Sequence, residues 1–507
     1  MTEVIVRTQP VAEAPTKLLA LGIFQGKGEI PQPAASVDHA SDGTITELLD
    51  RGDFLGRLGE TALLYPPAGS EVPARRLLLV GLGPADGFHA DILRDAAGKA
   101  ARAVQELEVD VFANALHLVP WHKKDQEMAA QATVEGSILA MYQYDGRDPK
   151  LRRMDLLAED KSVADAVQRG VDVGRVVAVA TNQVRTLVNR PANLVTPTKF
   201  AEEAQETAET AGFRCEVLDQ ATMANLGMRA VLGVAQGSLE PARFIVMEHR
   251  GGADGQPLIL AGKGVTFDSG GISLKDRVGM GRMKYDMAGG AAVLGAITCA
   301  SQLDLPLRVI GLVPATENLP SGGAYRPGDV VNSLSGQTIE IVSTDAEGRL
   351  LLADALSYAQ RFDPTAIVDV ATLTKGVRDA LGPWATGVMG NNRDLIRQLT
   401  GAGERTGERL WELPLWEEHE LLIASDVADM KNSAMALVGS PPGGVVASAI
   451  AGGIFLRRFV GNAPWAHLDI AGTAWAFAPT RSYLAKGATG VGVRLLTQFL
   501  RDGPPSA

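Results

Sequence analysis

The chain has few of the residues that mark secreted or membrane proteins. Only two of its 507 residues are cysteines, Cys215 and Cys299, so a disulfide framework is excluded and a reducing, cytoplasmic location is expected. The N-terminus includes Glu3 and Arg7 and lacks the continuous apolar stretch of a secretory signal. The longest weakly polar run, residues 445–456, is shorter than the roughly 20 residues that span a bilayer. We expect it to form a buried helix, and we expect no membrane partner.

Basic residues are also in the minority. Lys and Arg together number 48 against 59 Asp and Glu, which gives a formal net charge of -11 at pH 7. This charge repels the phosphates of nucleic acids unless a local basic face overrides it, so general nucleic-acid binding is not expected. With 46% hydrophobic and 21% charged residues, the composition is that of an ordinary globular protein.

The length favours more than one domain, and the pattern along the chain is of the α/β class. We predict a smaller N-terminal α/β domain over 1–160, a linking helix over 161–190 and a larger C-terminal domain over 191–507. In the first of these, an apolar strand over 76–81 precedes an amphipathic helix over 91–107, which is typical of α/β folds.

The turn after that first strand raises the question of a nucleotide site. Gly81 and Gly83 match two glycines of a dinucleotide-binding fingerprint, but Asp86 occupies the place of the third. We therefore interpret the segment as an ordinary turn between a strand and a helix.

The C-terminal region alternates strands, glycine-rich loops and helices. Thr196 and Pro197 are typical of a helix start, and Gly212 of its end, so a helix is predicted over 199–211. Further on, strands are predicted at 258–261, 307–313, 339–342 and 366–371, with helices at 291–303 and 349–361. This order predicts a mostly parallel sheet flanked by helices on both faces.

Two segments of this region carry an unusual set of charged residues where strands end, which is where open α/β sheets bind ligands. Segment 262–290 holds eight glycines among 29 residues, a density that indicates close backbone approach. The charged residues that we single out in the two segments are Lys263, Asp268, Lys275 and Asp286 in the first, and Asp345, Glu347 and Arg349 in the second, 343–350.

Four carboxylates in one crevice repel by roughly 4 kcal/mol per close pair at an effective dielectric near 20, and two divalent cations would cancel their charge. Oxygen ligands without nearby cysteine or histidine favour Mg, Mn or Zn. Lys263 can bind a metal only as the neutral amine, so burial and cationic neighbours must then lower its pKa. The alternative is that these carboxylates only favour helix starts and turns.

Three motifs favour the metal site over this alternative, because they resemble those of a known family. They are GKGVTFDSGG at 262–271, MKYDM at 283–287 and TDAEGRL at 344–350, supported by VNRPAN at 188–193, YRPGD at 325–329 and HLDIAGT at 467–473. In this set and order they resemble the leucine aminopeptidase family, the cytosolic two-metal aminopeptidases, over residues 180–507. No comparable motif occurs in residues 1–160.

The resemblance implies a metallo-exopeptidase that removes N-terminal amino acids, with a leucine-type preference, through a water that bridges two metals. It makes residues 191–507 the catalytic domain and implies Mn or Zn, or alternatively Mg, a homo-hexamer and peptide substrates. The implied metal ligands are Lys263, Asp268, Asp286, Asp345 and Glu347, of which Asp268 and Glu347 bridge the ions.

Two cationic residues receive catalytic roles from the same resemblance. Lys275 is similar to the lysine that polarises the scissile carbonyl, although it could be a solvated loop lysine. Arg349 matches the arginine that holds a bicarbonate acting as general base, although it could instead pair with Glu347 at the helix start.

The resemblance also suggests a pocket for the first side chain of the peptide. Met283, Thr372 and Ala471 resemble its lining residues and suit an aliphatic group, although each could be plain core. His467 lies on an apolar stretch that is expected to be a buried strand, and we interpret it as structural.

The chain departs from the family pattern at several positions. Ser343 occurs where asparagine is usual, and Lys375 replaces a glycine, with Arg378 and Asp379 where apolar residues are common. We hypothesise that Lys375 favours acidic or polar substrate residues or narrows the entrance. The loop 432–444 also looks longer than usual.

Three other functions are compatible with parts of this pattern. A phosphoesterase could use the same carboxylates but would require extra arginines or a free helix N-terminus for phosphate. A DNA-binding accessory protein on the same fold would require a basic face on the N-terminal domain. A catalytically inactive homologue would not need to keep the seven charged residues singled out above, all of which are present in this chain.

Overall fold

The computed structural model describes residues 2–26, 28–120, 125–144, 146, 150–252, 255–434 and 446–503. Most of the predicted long loop 432–444 lies outside these residues. The chain divides into two compact units. The N-terminal unit comprises Met1–Asn182, Arg405–Gly407 and Phe477–Lys486, and the C-terminal unit comprises Gln183–Glu404, Glu408–Ala476 and Gly487–Ala507.

The N-terminal unit contains a six-stranded sheet in the order β1-β6-β5-β2-β4-β3, parallel except for the β3–β4 pair. Its strands are β1 (Glu3–Thr8), β2 (Leu19–Ile23), β3 (Thr61–Leu64), β4 (Leu77–Gly81), β5 (Val111–Asn114) and β6 (Arg153–Ala158). Its helices are α1 (Ala34–Ala40), α2 (Thr44–Arg51), α3 (Ala90–Glu106) and α4 (Gln126–Ala140). The predicted strand 76–81 and helix 91–107 correspond to β4 and α3. The division between the units falls inside helix α5 (Lys161–Asn189).

The C-terminal unit is built on a nine-stranded, mostly parallel sheet. Its strands run in the order β16-β15-β18-β14-β9-β11-β8-β7, with β10 paired to β11. They are β7 (Arg214–Leu218), β8 (Arg243–His249), β9 (Leu258–Gly262), β10 (Gly264–Asp268), β11 (Val309–Asn318), β14 (Ala366–Ala371), β15 (Thr386–Gly390), β16 (Leu410–Glu412) and β18 (Trp465–Asp469). The remaining strands form two small sheets: β12 (Val330–Asn332), β13 (Thr338–Glu340) and β17 (Met430–Lys431) in one, and β19 (Trp475–Ala476) and β20 (Gly487–Ala488) in the other.

Nine α-helices accompany these sheets in the described residues of this unit. They are α6 (Pro197–Ala211), α7 (Gln220–Leu226), α8 (Arg229–Ala235), α9 (Ala288–Gln302), α10 (Gly348–Ala359), α11 (Lys375–Leu381), α12 (Arg393–Thr406), α13 (Ser448–Arg457) and α14 (Val493–Asp502). Helix α13 corresponds to the predicted buried helix at 445–456. Within the described residues, no helix combines the length and the apolar content that crossing a bilayer requires.

The large sheet is covered on both faces, as its apolar strands predicted. Ile310 and Leu312 of β11 belong to one core cluster with residues of α8, α10 and α13. Gly311, which points the other way because side chains alternate along a strand, faces Val293 and Ile297 of α9. The sheet is therefore the middle layer between two helical layers.

Local sequence rules explain the start and end of α6. The Thr196 side chain accepts a hydrogen bond from the Lys199 backbone N–H, Pro197 occupies the first turn, and Gly212 ends the helix with φ 85°. The predicted helix over 199–211 is thus confirmed.

One predicted strand of the large sheet was placed wrongly. The segment predicted at 339–342 forms β13, which pairs with β12 and β17 in the small sheet. It has only one buried residue, Ile339, in three, whereas the strands of the central sheet such as β14 are buried throughout. A short apolar run alone does not distinguish these two environments.

Candidate metal centre and active site

The two charged segments meet at the carboxyl ends of neighbouring strands. Lys263 follows β9, and Asp268 is the last residue of β10. Asp286 lies in a short 3-10 helix just before α9, while Asp345 and Glu347 precede α10. The topology therefore brings side chains separated by about 60–80 positions in the chain to one edge of the sheet, as open α/β sheets do at their ligand sites.

The carboxylates surround two ammonium groups. Lys263 Nζ lies 2.7 Å from Asp286 Oδ2 and 2.7 Å from Glu347 Oε1. Lys275 Nζ lies 2.7 Å from Asp268 Oδ2 and also pairs with Asp345. All five side chains named as metal ligands by resemblance, together with Lys275, thus belong to one network of contacts.

The electrostatics of Lys263 differ from the expectation that its pKa is lowered. Burial disfavours the charged form, but the attraction of Asp286, Glu347 and Asp268 is larger and raises the pKa of Lys263. The neighbours of the ammonium group are carboxylates and not cations, which explains the direction. Coordination by Nζ would therefore require the charge of an incoming ion to displace the proton.

Burial governs the acidic groups as well. It raises the pKa of Asp268 and raises that of Asp286 well above its ordinary value. For Asp345 burial is again the largest cause, and the pKa rises to about 6 despite the opposing charge of Lys275. Glu347 is the exception, because Lys263 and Lys275 outweigh its burial and lower its pKa. The site thus holds more negative charge than it can easily accommodate without cations.

The donor set fits divalent metals. Asp268, Asp286 and Glu347 are buried, and each offers a carboxylate oxygen such that all three oxygens lie within 4.8 Å of one another. Four carboxylates, counting Asp345, exceed the two ammonium groups by two negative charges, and the ligands are hard oxygens of the kind that Mn, Mg and Zn accept in carboxylate sites.

Two glycines allow the close approach that the glycine-rich segment predicted. A Cβ at Gly348 would lie 2.6 Å from Lys263 Cε, so only glycine leaves room for the lysine beside α10. A Cβ at Gly262 would lie 2.6 Å from the Gly289 carbonyl oxygen at the start of α9. The backbone of the site is therefore packed against itself, and the lysine fills the remaining space.

The network opens into a pocket of about 520 Å³. Met283, Thr372 and Ala471, the predicted substrate-binding residues, all line it, as does Lys275. Thr372 also contacts the metal centre: its Oγ1 lies 2.7 Å from Asp286 Oδ1, and its carbonyl accepts a hydrogen bond from Lys263 Nζ at 3.1 Å. The pocket and the carboxylate cluster are thus parts of one site.

Arg349 follows Glu347 at the start of α10 and is buried. Its Nε and Nη1 find no hydrogen-bond partner within the described part of the chain. Burial lowers its pKa to about 10, with the charges of Glu347 and Asp469 opposing the shift. A buried guanidinium with unpaired donors is chemically suited to hold a small oxyanion.

His467 has a structural environment. It lies fully buried on β18, and its Nδ1 is 2.5 Å from Asp369 Oδ1. The other oxygen of Asp369 accepts a hydrogen bond of 2.6 Å from Trp465 Nε1. His467 does not line the pocket. His467 therefore contributes to the hydrogen bonding inside the sheet, as the structural interpretation predicted.

Asn318 was missed by the sequence analysis although it joins the two segments. Its Nδ2 donates to Asp268 Oδ1 at 2.8 Å and to the Thr344 carbonyl at 2.9 Å, and lies 3.4 Å from Glu347 Oε2. The sequence feature that indicates Asn318 is its position at the carboxyl end of the fully buried strand β11. A polar residue at the end of such a strand indicates a ligand site as the aspartates do.

Thr344 and Tyr325 complete the support of the second segment. Thr344 Oγ1 donates to the Gly270 carbonyl at 2.6 Å and accepts from the Ser273 N–H at 2.7 Å. Tyr325 donates its hydroxyl to the Thr344 carbonyl at 2.9 Å. Both residues occur in the motifs quoted above, and they position backbone rather than contact the pocket.

Comparisons with known proteins agree with this geometry. Residues 182–497 match the cytosol aminopeptidase family, catalytic domain, and residues 20–147 match the N-terminal domain of the same family. The chain is 48% identical to a probable cytosol aminopeptidase of Geotalea uraniireducens, over 92% of each chain. It is 45% identical to one of Syntrophotalea carbinolica, over 99% of this chain and 100% of the relative.

A solved structure is similar over the whole fold. The bottromycin maturation enzyme BotP in complex with Mn is 36% identical, with a TM-score of 0.83, covering 96% of this chain and 99% of that one. The matches to both domains, the identity over nearly the full length and the buried acidic cluster lead to one conclusion. This chain belongs to the cytosol aminopeptidase family of metal-dependent peptide hydrolases.

Proposed function

We propose that this protein is a leucine-type exopeptidase that removes single residues from the N-termini of peptides at a two-metal centre. One observation carries the proposal: carboxylates from two distant segments meet around Lys263 and Lys275 and line a pocket of about 520 Å³. Binding of the substrate's free α-amine beside these carboxylates would explain cutting from the chain end.

The residues that would hold the metals in this proposal are Lys263, Asp268, Asp286, Asp345 and Glu347. The amide of Asn318 contacts an oxygen of Asp268 and an oxygen of Glu347, which keeps these two carboxylates side by side. Mn or Zn, or alternatively Mg, would supply Lewis acidity and an activated water at this site when bound. BotP was solved with Mn, which favours testing Mn first.

Lys275 would polarise the scissile carbonyl and stabilise the oxyanion that forms from it. Its side chain is 22% exposed and lines the pocket, while Asp268 and Asp345 hold its ammonium group in place. A solvated loop lysine would not be fixed by two carboxylates, one of which is buried.

Arg349 would hold a bicarbonate that acts as general base and takes up the proton released when water adds to the scissile carbonyl. The unpaired Nε and Nη1 atoms support an anion partner. Met283, Thr372 and Ala471 would receive the first side chain of the peptide. A homo-hexamer and a cytoplasmic location, the latter in line with the names of the relatives, belong to the same proposal.

Leucyl p-nitroanilide hydrolysis before and after chelation tests the proposal. We expect activity to disappear on chelation and to return with added Mn or Zn, with two ions bound per chain. Asp268→Asn should abolish the recovery, whereas Asp394→Asn, on the exposed surface of α12, should leave it intact. Turnover that persists after full removal of metal would refute the proposal.

The two alternative activities have no specific support. Arg282, Lys375 and Arg378 line the pocket and could meet a phosphate, but the match of residues 182–497 to the catalytic domain of the cytosol aminopeptidase family favours a peptide substrate. Incubation of the Mn-loaded protein with p-nitrophenyl phosphate, and gel mobility of DNA at low and moderate salt, would detect either alternative.

A further inference from the structure

One side of the pocket is lined by cationic residues, whereas the protein as a whole is acidic. Arg378 and Lys375 belong to helix α11, which begins three residues after Thr372, and both line the pocket. Because they are three positions apart on a helix, their side chains project from the same face. A pocket for purely aliphatic side chains would not require two cations at its edge.

Arg378 lies beside the predicted pocket for the first side chain. A Cβ at Gly472, the residue after Ala471, would lie 3.5 Å from Arg378 Cα. Arg378 and Ala471 are both among the residues that line the pocket. The backbone of Arg378 is therefore packed next to the segment that carries Ala471.

The two cations at this edge differ in their pairing with acids. Lys375 Nζ forms an exposed ion pair of 2.5 Å with Asp379, a residue that does not line the pocket. Arg378 forms no ion pair with any residue of the described ranges, and its side chain is exposed. Arg378 therefore keeps its charge available to a group that enters the pocket.

We propose that, besides the aliphatic residues of a leucine-type activity, the pocket takes an N-terminal residue that ends in a carboxylate, with glutamate preferred among such residues. The inference rests on the proposed exopeptidase function and assigns its substrate class. The apolar stem of glutamate would contact Met283 and Ala471, as a leucine side chain would, and its carboxylate would reach the Arg378 guanidinium, with Lys375 adding to the attraction. Arginine suits this role because its planar donors match a carboxylate.

Glutamyl and glutaminyl p-nitroanilides provide the test, because the two side chains have the same shape and differ in charge. With the Mn-loaded protein at low salt, we expect kcat/KM for the glutamyl substrate to exceed that for the glutaminyl substrate by about fivefold or more. Raising NaCl from about 50 to 500 mM should reduce this ratio, because an exposed charge pair is screened. This salt series is measured on the wild-type protein alone, so its result does not depend on how a variant folds.

Arg378→Ala should bring the ratio close to one, and Lys375→Gly should lower it less, since Asp379 already pairs with that lysine. Arg393→Ala, at the start of α12 and outside the pocket, is the matched control and should leave the ratio unchanged. Leucyl p-nitroanilide is assayed alongside. A wild-type ratio of one or below, or an equal ratio in wild type and Arg378→Ala, would overturn the inference while leucyl turnover upholds the exopeptidase. Absence of turnover on all three substrates would overturn the exopeptidase itself.

Discussion

Replacing Asn318 by leucine should separate the two halves of the metal centre while keeping the branched shape of the side chain. The amide donates one hydrogen bond to Asp268 and one to the Thr344 carbonyl, at 2.8 and 2.9 Å. Leucine removes both hydrogen bonds, although Asp268 Oδ1 keeps the Gly270 N–H and the Thr344 carbonyl keeps the Tyr325 hydroxyl. The loss of a hydrogen bond costs about 0.5–1.5 kcal/mol between neutral groups and about 1.5–3 kcal/mol when one group is charged.

The two lost hydrogen bonds, one between neutral groups and one to a carboxylate, lower the free energy of unfolding of the metal-free protein by roughly 2–4 kcal/mol. At roughly 2–4 °C per kcal/mol for domains of a few hundred residues, the melting temperature in EDTA should fall by about 4–16 °C. Because groups that orient metal ligands typically contribute 10–100-fold to metal affinity, the Mn dissociation constant should rise by at least about tenfold.

The measurements are thermal unfolding in EDTA and calorimetric titration with Mn. Asn332→Leu is the control, because Asn332 is an exposed residue of β12 in the same unit, and a surface change of this kind alters stability by at most about 0.5 kcal/mol. If Asn318→Leu melts and binds Mn like this control, Asn318 does not join the two segments energetically.

Three further outcomes are expected. Lys275→Met should lower kcat for leucyl p-nitroanilide by about 10²–10³-fold, which is the usual effect of removing one oxyanion donor. Elemental analysis should still find two Mn bound per chain. An unchanged kcat would contradict the role of Lys275 in stabilising the oxyanion. Added bicarbonate should stimulate the wild type but not Arg349→Met, and equal stimulation would exclude an anion at Arg349. Burial lowers the pKa of His117 to about 4, so the folded protein resists the proton that the unfolded chain binds near pH 6.5. Stability should therefore fall from about pH 6.5 to 4, by up to roughly 3 kcal/mol, and the urea midpoint of His117→Gln should fall less steeply over that range.

The central strands of the fold were predictable from sequence because each is apolar throughout and bounded by glycine or a polar turn. β9 and β14 lie within a residue of their predicted ends, and α6 begins and ends at its capping residues. β11 was predicted at 307–313 but continues to Asn318, since the polar end Thr316-Glu317-Asn318 pairs with β10. Tertiary pairing extended this strand beyond its apolar part.

The charged residues of the site were predictable because the motifs that contain them are unusual in charge and glycine content. Their mutual arrangement was not, since it depends on β10 pairing with β11 and on α10 packing close to Lys263. Asn318 shows the limit most clearly. A neutral amide at a strand end carries no charge signal, and its value appears only when Asp268 and Thr344 are seen on either side of it.

The two lysines explain how a site with four carboxylates can fold before metal binds. Without a cation, close carboxylates repel by several kcal/mol per pair, and burial makes this worse. Lys263 pairs with Asp286 and Glu347, and Lys275 with Asp268. The lysines therefore hold these carboxylates close together in the metal-free protein, while the remaining negative charge still attracts divalent ions. The same side chains that would serve catalysis thus make the metal-free fold possible.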